Sequence, residues 1–130
     1  MNLSASAPGI LPSQAIDTLI KAGAIASATP FDPDQVQPAS LDLRLGERAW
    51  RVRASFLPGL GRKVTERLPD VAMHRLDLTE GAVFEKGCVY IAELQEHLSL
   101  PKGVCARANP KSSTGRVDVF VRLLTDIGPA

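Results

Sequence analysis

The chain carries little that could assemble a metal site. Its 130 residues include two cysteines, Cys88 and Cys105, and two histidines, His74 and His97. None stands at CxxC-like or HxxxH-like spacing, so no site of the zinc type preassembles from neighbours in sequence. The cysteines read as two buried free thiols, which fits a reducing cytoplasmic compartment. Long apolar runs are missing too. Residues 1–8 have neither the positive start nor the continuous apolar stretch of a secretory signal, and no later stretch reaches a membrane-spanning length. Charge of one sign is also scarce: fifteen basic side chains against fourteen acidic ones leave a net charge of +1. No global field would draw the chain onto nucleic acid or an anionic membrane, so an anion site has to be local.

With 45% hydrophobic residues, the length suits one compact domain with its own core. Residues 1–9 offer almost no apolar surface to offset the entropy of ordering, and are expected to be a flexible amino-terminal segment ahead of a domain over residues 10–130. Ser13, after Pro12, is placed to cap a helix whose apolar face is Ile16, Leu19 and Ile20, with Lys21 near its end and Gly23 as its stop. Three prolines and two aspartates make Ala28 to Pro38 a connecting loop.

The period then changes. Leu41, Leu43 and Leu45 alternate with Asp42 and Arg44, the two-residue repeat of a half-buried strand ending at Gly46. Trp50 to Ala54 alternates less cleanly. Prolines, glycines and charges between Ser55 and Asp70 predict a long surface excursion, with Arg62, Lys63 and Arg67 as a solvated basic face. Beyond Met73, short apolar runs recur at Leu76 and Leu78, Val83 and Phe84, Cys88 to Leu94, Val104 to Ala108, and Val117 to Leu124. Short strands at this spacing with a single helix predict an all-β sandwich or barrel.

The segment richest in chemistry is Asn109-Pro110-Lys111-Ser112-Ser113-Thr114-Gly115-Arg116, between two predicted strands. Lys111 and Arg116 can neutralise phosphate oxygens, and Ser112, Ser113 and Thr114 add hydroxyl and backbone N–H donors. A helical turn after Pro110 would point its free amides at the same anion. Composition alone favours an ordinary turn, and the spacing is not that of a P-loop. The glutamates Glu47, Glu66, Glu80, Glu85, Glu93 and Glu96 read as surface carboxylates. Asp42 reads as structural, and His74 and His97 as surface or satisfied strand residues.

Lys111 to Arg116 resembles the Arg-Ser-Ser-x-x-Arg motif of dCTP deaminases, which is related to the serine-rich phosphate motif of dUTPases. Gln37-Pro38-Ala39-Ser40-Leu41-Asp42-Leu43-Arg44-Leu45-Gly46 resembles an early segment of the same superfamily, and Gly9 to Ile25 resembles its opening helix. The pattern from Gly81 to Pro101 is similar to the strand pair that precedes the serine motif. This resemblance implies a distorted β-barrel of the dUTPase-like (β-clip) type with one short amino-terminal helix, incomplete at its carboxyl end. It also implies a homotrimer with nucleotide sites between subunits.

The activity implied is deamination of dCTP to dUTP and ammonia. Ser112 and Arg116 match catalytic positions near the reacting base and the phosphates, Ser113 matches a phosphate donor, and Lys111 stands for an arginine. Mg²⁺ is expected to arrive on the triphosphate, and no protein metal site is implied. Lys111 turns a forked contact into a point charge, and Asp118 stands where a glycine often follows the motif. The glutamate-bearing strand that would supply the base is not recognisable before Ala130, so the isolated chain is expected to be inactive. Two other readings stay open. One is a dUTP pyrophosphatase, in which the serine turn orients the triphosphate for attack at phosphorus. The other is a non-catalytic nucleotide-binding or assembly fragment.

Overall fold

A computed structural model describes residues 8–124. The sequence-expected flexible segment lies mostly outside that range, as does the terminal stretch from 125 to 130. Three helices and five strands form among the described residues. In chain order they are α1 (Ser13–Lys21), β1 (Ile25–Ser27), β2 (Leu45–Val52), α2 (Val64–Val71), β3 (Ala72–Asp77), β4 (Val89–Leu94), β5 (Glu96–Leu98) and α3 (Ser112–Arg116). The fold is mostly β with short helices, three of them where the sequence predicts one. Its strands form a two-stranded sheet, β1-β5, and a three-stranded sheet, β3-β2-β4, without a closed barrel among the described residues. No described helix is long and apolar enough to cross a membrane.

The chain divides into two compact units. The first combines the described residues up to Arg44 with Leu94–Ala106. Its core is the α1 face seen in the sequence: Ile16 and Leu19 pack with Ile25, and Phe31, Val36 and Leu41 close around them. Ser13 does not cap α1. Pro12 holds the N-cap position, and the Ser13 N–H donates to the Pro38 carbonyl at 2.9 Å. The far end behaves as expected. Gly23 takes φ +74°, its N–H donates to the Ile20 carbonyl at 3.0 Å, and the Ala24 N–H reaches the Leu19 carbonyl at 2.9 Å. This paired closure with a left-handed residue just past the cap is a Schellman motif. Antiparallel β1 and β5 meet with Ile25 opposite Leu98 and Ser27 opposite Glu96.

The leucine alternation does not become a strand from Leu41. Gln37 N–H donates to Ser40 O at 2.8 Å and Asp42 N–H to Gln35 O at 2.9 Å, folding the chain back around Pro38, with only an isolated bridge between Val36 and Leu41. Arg44 then gives its N–H to a side chain, the Glu96 carboxylate, at 2.9 Å. A ladder therefore begins only at Leu45.

The second unit combines Leu45–Glu93 with the described residues from Arg107 onward. Antiparallel β2 and β3 pair from Arg48 opposite Asp77 to Val52 opposite Ala72, with an irregularity between Arg51 and Val52. Gly46 meets β4 closely: a Cβ there would stand 3.3 Å from the Glu93 Cβ and carbonyl oxygen, which accounts for the glycine at this point of the sequence. The expected surface excursion contains α2. Its polar, exposed residues include Lys63 at the N-cap and Arg67, while Leu68 alone is buried. Pro69, which reads in sequence as a breaker, lies inside α2 near its end: it lacks the N–H that would bond the Thr65 carbonyl, and the helix stops two residues later at Val71.

Two further expectations change. Cys88 is half-buried and Cys105 exposed, both as free thiols. Val83-Phe84, Val104 to Ala108 and Val117 to Leu124 enter no strand among the described residues. Their composition favours extended backbone, but a strand exists only with a hydrogen-bonded neighbour, and no described strand pairs with them.

Candidate functional site

The four sequence-selected residues fall on one local element. Lys111 is the N-cap of α3, with extended backbone at φ −68° and ψ 132°, Ser112 and Ser113 open the helix, and Arg116 ends it. The Lys111 carbonyl accepts from the N–H groups of Thr114 at 3.0 Å and Gly115 at 3.3 Å. In such a short turn the opening amides have no intrahelical acceptor. Ser112 and Arg116 are four residues apart and Ser113 and Arg116 three apart, so all three side chains share a flank of the turn. Lys111, Ser112, Ser113 and Arg116 are exposed, and Thr114 is half-buried.

This arrangement presents two cations, two hydroxyls and free amides over a rise of about 6 Å. Such a donor set suits phosphate oxygens. It offers a divalent cation no carboxylate, and among the described residues no group of three or more His, Cys, Asp or Glu could hold a metal ion.

The closure of α3 is the second finding. Asp118 is the one non-glycine residue at positive φ among those described, at +66°. Its N–H donates to the Gly115 carbonyl at 3.0 Å, and the Val119 N–H reaches the Thr114 carbonyl at 3.3 Å. The departure from glycine seen in the sequence therefore leaves the turn intact, with aspartate adopting the left-handed backbone.

Sequence reasoning missed the buried polar cluster. Glu96, read as a surface carboxylate, has a fully buried side chain. It accepts from the Arg44 backbone N–H at 2.9 Å, from Arg44 Nε at 2.8 Å and from Gln35 Nε2 at 2.7 Å. Burial pushes the Glu96 carboxyl up, but these hydrogen bonds outweigh it and hold the group below the usual carboxylate range. Arg44 is held above its ordinary value, chiefly by the hydrogen bond to Glu96. Its guanidinium also donates to the Pro30 carbonyl at 2.9 Å and lies over the Phe31 ring. The other glutamates keep more solvent, Glu85 pairing with Arg51 and Glu93 with Arg48 at 2.7 Å each. Asp42 accepts from Gln37 Nε2 at 3.5 Å, in keeping with a structural role. His74 and His97 are exposed strand residues, as expected.

A family model described as the 2'-deoxycytidine 5'-triphosphate deaminase (DCD) N-terminal domain matches residues 7–130. The chain belongs to this family. Among curated relatives, a "dCTP deaminase, dUMP-forming" of Streptomyces griseus is 34% identical over 98 residues, covering 68% of this chain and 46% of that protein. The dCTP deaminase of Halorubrum lacusprofundi is 26% identical over 113 residues, covering 86% of this chain and 56% of the relative. The crystal structure of 2'-deoxycytidine 5'-triphosphate deaminase from Agrobacterium tumefaciens superposes with a TM-score of 0.83 at 55% identity, over 86% of this chain and 34% of that one. This DCD N-terminal domain thus spans about half the length of the curated relatives it matches.

Proposed function

We propose that the protein takes part in deamination of dCTP, with α3 as its triphosphate-binding turn. Water adds its oxygen to cytosine C4, the C4–N bond breaks, and the amine leaves as ammonia once it has gained a proton, giving dUTP. Lys111, Ser113 and the opening amides of α3 hold phosphate oxygens. Ser112 and Arg116 stand where the phosphates meet the reacting base. The observation that carries this reading is the gathering of four phosphate-suited side chains on one exposed turn of a chain that belongs to the deaminase family. Mg²⁺ belongs to it as part of the substrate, bound by the triphosphate and neutralising its charge.

The carboxylate that activates water comes from outside this set. Glu85, Glu93 and Glu96 are each committed to an arginine. The reading extends to residues 10–130 as one dUTPase-like domain, to closure of its sheets into a barrel in the whole protein, to a homotrimer with sites between subunits, and to a cytoplasmic location. A second reading has one observation in its favour: several relatives are named dUMP-forming, which couples deamination to phosphoanhydride cleavage.

Arg116→Ala tests the proposal by titration calorimetry with Mg²⁺ and α,β-imido-dUTP, a ligand that lacks the cytosine amine and carries a P–N–P link in place of the α,β phosphoanhydride. The expected weakening is on the order of a hundredfold, within the ~2–4 kcal/mol of a charged hydrogen-bonded pair broken at an interface. Unchanged affinity removes α3 from the site.

A further inference from the structure

Two helices of this chain end in the same way with different residues. In α1 the left-handed position of the Schellman motif is Gly23 at φ +74°, and in α3 it is Asp118 at φ +66°. Glycine reaches this region without steric cost, whereas a side chain there crowds the following carbonyl. Aspartate tolerates it better than most residues, but as an anion just past a helix carboxyl end it opposes the helix dipole. Two locally unfavourable features coincide on one exposed residue, two positions after Arg116. Strain of this kind persists where the surrounding arrangement needs the conformation.

We propose that Asp118 is a positioning residue for the phosphate turn, acting through its left-handed backbone rather than its carboxylate. The inference rests on the reading of α3 as the triphosphate site. The two closing hydrogen bonds, Asp118 N–H to Gly115 O and Val119 N–H to Thr114 O, fix the last turn of α3 and so the direction in which Arg116 leaves it. If the closed turn is the binding-competent state, the cost of left-handed φ at residue 118 sets its population, and the apparent dissociation constant rises as that population falls.

The prediction is an order that charge, size and polarity do not produce. With α,β-imido-dUTP and Mg²⁺ titrated into the full-length protein, Asp118→Gly binds as tightly as the parent or a few-fold tighter. Asp118→Asn stays within about twofold. Asp118→Ala weakens binding about fivefold, and Asp118→Val tenfold or more, since a β-branched residue is a true outlier at positive φ. Thermal melts of the same variants separate positioning from folding: the affinity order persists while Tm changes little, because α3 is exposed. Affinities within twofold across the series overturn the proposal. A loss in Asp118→Asn matching that in Asp118→Ala overturns it as well, by assigning the role to the carboxylate. Arg116→Ala, measured alongside, tells the two readings apart. If it abolishes binding while the Asp118 series is flat, only positioning fails, and if it leaves affinity unchanged, the phosphate reading fails and takes this inference with it.

Discussion

Arg44 engages both oxygens of Glu96, its Nε donating to Oε1 at 2.8 Å and its backbone N–H to Oε2 at 2.9 Å, across 52 residues of chain. One carboxylate therefore ends the loop before β2 and anchors β5. Replacing Glu96 by alanine strands the Gln35 amide, which is buried, together with the opposing N–H donors. The Glu96→Ala variant is expected to lose about 2–4 kcal/mol of stability, the cost of leaving buried donors without an acceptor. Urea denaturation reads this as a lower midpoint with an unchanged slope. A midpoint equal to the parent's would mean that solvent reaches these donors.

The same carboxylate sets a pH dependence. Glu96 titrates below the usual carboxylate range because its hydrogen bonds outweigh burial, and Asp77 does so because the Thr79 hydroxyl and N–H donate to it. A depressed folded-state pKa contributes stability that is present above the unfolded-state value, about 4, and is lost as pH falls through the folded value. Urea midpoints should be level from about pH 7 to 5 and fall below about 4. Glu96→Gln should show a shallower acid limb. Midpoints that rise on acidification would contradict the assignment.

What the sequence discloses depends on how local the signal is. The apolar face of α1 and the stop at Gly23 were legible because both are fixed within a few residues. The serine turn was legible for the same reason, as was the oddity of Asp118. Glu96 was not, because its neighbours in sequence say nothing of an arginine 52 residues away. The leucines from Leu41 misled because Asp42 and Arg44 give their amides to Gln35 and Glu96 instead of to a neighbouring strand. The basic stretch around Arg62 hid α2, whose only buried residue is Leu68.

The segment after α3 yields a prediction about assembly. Val117, Val119, Phe120, Val121 and Leu123 are all exposed, Phe120 at 89%, and none enters a strand among the described residues. Apolar side chains gathered at the surface in this way invite burial against another chain. Residues 1–130 produced alone should associate as concentration rises, and Val119→Lys with Phe120→Lys should suppress this in light scattering. A monodisperse parent at all concentrations would show that these side chains find cover within one chain.

Finally, residues 1–130 alone are expected to release no ammonia from dCTP and Mg²⁺, whereas a version extended to the length of the curated relatives would. Attack of water on C4 needs a positioned general base, commonly worth about a hundredfold to ten-thousandfold. On α3 the serine hydroxyls are weak bases, and Lys111 and Arg116 donate protons rather than accept them. Holding phosphates binds the ground state and the transition state almost equally, which does little for the chemical step. An ammonia-coupled assay of both lengths, side by side, decides the matter. Comparable turnover by the short chain would place the base among its own carboxylates. Asp118, beside the turn, and Asp42 would then be the first to replace by asparagine, and loss of turnover at unchanged nucleotide affinity would identify it.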